Sequence, residues 1–146
     1  MKAIPAIKKS DCRFSINKDA RTIVCVIPHT TDMLYDFLTQ NFQSRDFDII
    51  STALDWSMMI MPKSFSGKAT CAEEDEWDEE LGKNIAYARA RRKLYHSFFR
   101  RANHIVNTID LQLNNMVFTL NTLGDKVTRW QDNLEQDIDK KISGEA

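Results

Sequence analysis

From Tyr95 to Leu134 the apolar residues step alternately by four and by three: Tyr95, Phe99, Ala102, Val106, Ile109, Leu113, Met116, Leu120, Leu123, Val127, Trp130 and Leu134. This is the a/d pattern of a heptad repeat, and it predicts a long helix with one apolar seam. A continuous helix from about Asp78 to Ile142 would span roughly 95 Å at 1.5 Å per residue. The remaining chain is too short to supply a sheet that could cover such a length. Either the helix folds back on itself or other copies of the chain cover the seam. Gly124-Asp125 favours a break, since glycine suits a helix C-terminus and aspartate the next N-cap. The heptad register nevertheless runs through it, so residues 73–146 read as one long helix or a helical hairpin. Both versions imply a homo-oligomer.

The segment before the seam sorts its charges. Residues 73–80 hold seven acids and no base, whereas 81–108 hold seven bases and no acid, an asymmetry hidden by a formal net charge of -1. The acids have a structural explanation: Asp75 or Asp78 can cap the helix, and carboxylates in its first turn interact favourably with the macrodipole. The bases are harder to explain structurally. Arg89, Arg92 and Lys93 fall within one turn on one helical face, with Arg100 close to that face, and such a set can bind phosphate oxygens by charge-assisted hydrogen bonds. Their structural alternative is a solvated face paired with acids of the preceding run or of a neighbouring subunit. A duplex nucleic acid is a poorer partner than a small dianion, because the adjoining acids would repel a long phosphate track.

Residues 1–72 read as a small antiparallel sheet with one short helix, which makes the fold α+β. Cys12–Ile16 alternates with a period of two, Asn17–Arg21 carries turn formers, and Thr22–Ile27 is β-branched and apolar until Pro28, a hairpin pattern. Leu34, Phe37, Leu38 and Phe42 share one face of a helix capped by Thr31 or Asp32. Further strands are expected at about Phe47–Leu54, Trp56–Met61 and Lys68–Cys71, with a turn over Ser64–Gly67. Three widely spaced cysteines, Cys12, Cys25 and Cys71, predict reduced core residues rather than a disulfide framework. No window reaches the roughly 20 apolar residues of a membrane span, and the N-terminus lacks the apolar run of a signal peptide.

No catalytic centre is visible. His29, His96 and His104 have no cysteine or acid at ligand spacing, which leaves neither a zinc site nor a nucleophile–base pair. Nor is there a phosphate-cradling glycine loop. Phe65, Trp77 and Tyr87 surround the junction between strand and helix, where they can stack on a base or simply belong to the core.

The junction itself, Gly67-Lys68-Ala69-Thr70-Cys71, then Asp75-Glu76-Trp77-Asp78, Gly82-Lys83 and Ile85-Ala86-Tyr87-Ala88-Arg89-Ala90, resembles that of small phage proteins built from an N-terminal sheet and C-terminal helices. In function the pattern is similar to the phage Thoeris-inhibiting sponge family, which sequesters glyco-cyclic ADP-ribose. The resemblance implies a phage-encoded anti-defence protein in the host cytoplasm. It would be a ligand trap with no enzymatic activity and no cofactor, burying a cyclic ADP-ribose-type nucleotide between sheet and helix. It maps the ligand-binding arginine to Arg89, the next basic position to Lys93, and a pocket residue after the junction cysteine, Cys71, to Ala72. Together with Arg92, Phe65 and Trp77 these form the candidate ligand site. The alternative of another class is an oligomeric protein-binding inhibitor of a host defence nuclease, such as an anti-CRISPR, in which the basic helix face is structural.

Overall fold

The computed structural model describes residues 2–144. Three antiparallel strands, β1 (Arg13–Asn17), β2 (Thr22–Pro28) and β3 (Ser64–Thr70), lie in the order β1-β2-β3. Helices α1 (Met33–Asn41) and α2 (Ser44–Ala53) and a 3₁₀ turn at Trp56–Met59 fill the connection from β2 to β3, and α3 runs unbroken from Glu79 to Ile142. The fold is therefore α+β, a small antiparallel sheet followed by a long helix. The chain divides into two units, Met1–Val106 and Asn107–Ala146.

The hairpin forms because β2 alternates: Ile23, Cys25 and Ile27 are almost wholly buried on one face. Its turn is held by the Asn17 side chain, which accepts from the Ala20 N–H at 2.9 Å, and by Arg21 in a left-handed conformation (φ 51°). Across the sheet Cys25 lies opposite Gly67, and Ile23 opposite Ala69. That row is deliberately small. A Cβ on Gly67 would stand 2.2 Å from the Ala86 carbonyl oxygen and 2.4 Å from the Ala90 nitrogen, so the backbone of α3 rests directly on the strand. A Cβ on Gly82 would meet the Ile23 side chain at 2.7 Å. Gly82, Ala86 and Ala90, spaced by four, thus form the flat stripe by which α3 docks, continued by buried Leu94, Ser97, Phe98 and Ile105.

Three expectations change. The expected strands at Phe47–Leu54 and Trp56–Met61 are replaced by α2 and the 3₁₀ turn, so the sheet unit holds two short α-helices where one was expected. Phe47, Ile50 and Leu54 also fit helical spacing, and an acid, Asp46, sits in the first turn. Ser64–Gly67 is strand, not turn, with Gly67 serving close approach instead of chain reversal. The hairpin alternative at Gly124 is overturned: α3 continues through it, and Thr128 Oγ1 donates back to the Gly124 carbonyl at 3.1 Å. As expected of a seam that the sheet is too small to cover, the face of α3 buried in the sheet unit is a different one: Phe98 is 1% exposed while Phe99 is 46% exposed. From Leu113 to Leu134 the seam residues are all exposed.

Thr30, Met61 and Lys63 close the long connection through backbone bonds, Thr30 N–H to Lys63 O at 3.3 Å and Met61 N–H to Thr31 O at 3.0 Å. Phe37 of α1 meets Phe98 of α3 edge to face at 5.3 Å, and Tyr35, Phe47 and Trp56 form a second aromatic cluster. All three cysteines are free, but only Cys25 is fully buried. Burial first, and neighbouring Cys12 second, push its thiol pKa up to about 12.

Candidate functional site: a basic groove between β3 and α3

The helix start is settled by the acids. Asp78 Oδ1 accepts from the Leu81 N–H at 2.9 Å, the N-cap bond, and Glu79 and Glu80 follow in the first turn. Lys83 pairs with Glu79 at 3.0 Å and Glu80 at 3.5 Å, and Lys9 reaches Glu80 at 3.4 Å. Two acids of the run, Glu79 and Glu80, thus find their bases at the very beginning of α3 and in the N-terminal segment. The hydrogen bond from Lys9 holds Glu80 below its ordinary pKa, and the one to Glu79 raises that of Lys83.

Further along, the bases of α3 divide by task. Arg89 Nη1 donates to the Lys68 carbonyl at 2.7 Å, capping an outward-facing group on the free edge of β3. Arg91 lies over the rings of Tyr87 and Tyr95, at 5.2 and 5.7 Å from their centroids. Arg101 Nε donates to Ser97 Oγ at 3.3 Å. Arg92 and Lys93 are exposed and have no ion pair among the described residues.

Those two unpaired bases line a groove of about 520 Å³ with Gly67, Lys68, Arg89 and His96. Its lining holds four basic side chains, one histidine and no carboxylate. The size falls in the range of small-molecule sites, ~300–1,000 Å³. Arg89, though bound to Lys68, keeps further N–H donors of its planar fork for an anion. A phosphate entering here would meet N–H donors on one wall from α3 and on the other from Lys68.

The other expected site residues lie elsewhere. Cys71 borders a separate groove of about 430 Å³ edged by Asp75, Glu76 and Asp78, an unfavourable place for a dianion. Its sulfur accepts from Arg21 Nη2 at 3.0 Å, and that same nitrogen also reaches the Asp75 carbonyl. Phe65 is half-buried in β3 opposite Ile27, Trp77 is half-buried ahead of α3, and Ala72 is exposed in the connecting turn. None of the three lines the basic groove. Lys68 and His96 do line it and were not among the expected site residues. The signal was present: Lys68 is the only base in β3, and His96 follows Arg92 by four and Lys93 by three on the same helix face.

Among the described residues there is no cluster of three or more His, Cys, Asp or Glu able to hold a metal ion, and no helix long and apolar enough to cross a membrane. Compared with known families, curated proteins and solved structures, the chain matches none.

Proposed function

We propose that the protein is a non-catalytic, phage-encoded anti-defence protein of the host cytoplasm that captures a cyclic ADP-ribose-type nucleotide, such as glyco-cyclic ADP-ribose, and withholds it without cleaving it. Its phosphates occupy the groove between β3 and α3. The protein acts as a homo-oligomer through the seam of α3. One observation carries the ligand reading: Arg92 and Lys93 stand unpaired beside Lys68 and Arg89 in a groove with no carboxylate in its lining. Several cations held side by side repel one another, and a bound dianion offsets that repulsion by charge-assisted hydrogen bonds. Isothermal titration with glyco-cyclic ADP-ribose tests it. Heat of binding with intact ligand recovered afterwards supports capture; no heat at high micromolar concentration rejects it.

A second reading is favoured by a different observation, the uncovered apolar seam after Val106 together with the structural bond of Arg89 to the sheet. On this reading the protein is an oligomeric inhibitor of a host defence nuclease, of the anti-CRISPR kind, and the basic face is structural. Replacing Arg92 and Lys93 by Glu leaves such an inhibitor active and abolishes nucleotide capture.

A further inference from the structure

The seam of α3 beyond Val106 has no role inside a single chain: Leu113, Met116, Leu120, Leu123, Trp130 and Leu134 are each 50% or more exposed. The charges along the helix suggest what covers it. Residues 111–124 contain no charged side chain; on one side, 89–101 hold six bases and no acid, and on the other, 132–139 hold four acids and no base. We propose that α3 pairs antiparallel with α3 of a second copy about a two-fold axis near Phe118, the acidic end of each helix lying against Arg100 and Arg101 of the other. This specifies the homo-oligomer of the proposed function and does not depend on the ligand.

Three independent features select this orientation. In a parallel, in-register pair like charges face each other at both ends, whereas the antiparallel pair brings each basic stretch to an acidic one. Side-chain volume gives the second argument. A parallel pair stacks Ala102 on Ala102 and Trp130 on Trp130, leaving one layer empty and another overfilled. An antiparallel coiled coil sets a positions against d positions, and the register centred on residue 118 places Met116 opposite Leu120, Val106 opposite Trp130 and Ala102 opposite Leu134. The same register puts Glu135 opposite Arg101. The third feature is where the seam ends. Tyr95 is already engaged by its own chain, its hydroxyl donating to the Pro5 carbonyl at 3.1 Å with Arg91 over its ring. The open seam thus starts at Phe99, and its last apolar residue is Leu134. Antiparallel pairing about residue 118 lays Leu134 over Ala102, one turn from Phe99, so the open stretch of one helix is covered by that of the other.

Spin labels on Asn121→Cys and Gln136→Cys in the full chain test the geometry, in a Cys12→Ser, Cys71→Ser background that leaves only buried Cys25. At 1.5 Å per residue, labels at 121 are displaced along the axis by only about 9 Å and labels at 136 by about 54 Å. A short separation at 121 with a long one at 136 supports the proposal. Short separations at both positions establish a parallel pair and overturn it. A single-chain or three-chain mass by sedimentation at about 100 μM overturns the dimer outright. Charge reversal gives a second readout: Arg100→Glu with Arg101→Glu weakens an antiparallel dimer at least ~10-fold and leaves a parallel one unchanged, since there it only swaps one like-charge contact for another.

Discussion

Two glycines of this chain respond to the same substitution with opposite signs. In Gly67→Ala the new methyl is placed 2.2 Å from the Ala86 oxygen, 2.4 Å from the Ala90 nitrogen and 2.9 Å from Arg89 Cβ. Carbon contacts relax near 3.5 Å, so strand and helix must part by more than ~1 Å. The nearest two obstacles are backbone atoms, which no change of rotamer can remove. Overpacking of this kind costs about 1–3 kcal/mol where side chains can yield, and the upper end applies here. For a unit near 100 residues, about 3 kcal/mol lowers Tm by ~12–24 °C. Gly124→Ala meets nothing within 4 Å and sits inside α3, so it stabilises the helix by about 1 kcal/mol. Urea unfolding followed by near-UV circular dichroism isolates the sheet unit, whose aromatic clusters report tertiary packing, from the helical signal of residues beyond Val106. A Gly67→Ala protein within 0.5 kcal/mol of wild type would refute the direct contact of helix and strand.

Other substitutions separate binding from folding. Arg92→Glu with Lys93→Glu lowers nucleotide affinity by at least ~100-fold with little change in Tm, because neither side chain has an ion pair to lose, whereas Arg89→Ala lowers both by uncovering the Lys68 carbonyl; titration calorimetry and thermal melts distinguish the two. Native-state alkylation followed by mass spectrometry modifies Cys12 and Cys71 and spares Cys25, whose thiol is fully buried with a pKa pushed up to about 12. The Lys9–Glu80–Lys83 network acts at neutral pH. With Glu80 held below its ordinary pKa, its contribution is lost as pH falls through that lowered value, and the part due to Lys83 is lost only as pH rises past its raised one; Glu80→Gln removes the acid-side step from a stability–pH curve.

The hairpin and α1 were legible because their apolar residues alternate by two or recur by three and four. The helix start was legible in Asp78 and the glutamates after it. The docking stripe of α3 was not: Gly82, Ala86 and Ala90 carry almost no hydropathic signal, and what they provide is the absence of side-chain bulk. Gly67 read as a turn for the same reason, since close approach by a helix leaves no local mark on the strand. The heptad seam was legible as an apolar line with no cover in the sheet unit, but the separate face by which α3 docks there was not: Ser97 and Phe98 are buried while Phe99 faces solvent. In the site, the run of bases was visible, but its division was not. Only the folded chain reveals that Arg89 caps the sheet edge, that Arg91 stacks on tyrosines, and that Arg92 and Lys93 are left without an ion pair beside Lys68.

The most direct test of anion capture in this groove is a titration of ¹⁵N-labelled protein with glyco-cyclic ADP-ribose, followed amide by amide. Saturable shifts are expected at Gly67 and Lys68 of β3 and across Arg89–His96 of α3, absent in the Arg92→Glu, Lys93→Glu protein. Unchanged spectra at millimolar ligand, or shifts confined to the acid-edged groove around Cys71, would contradict it.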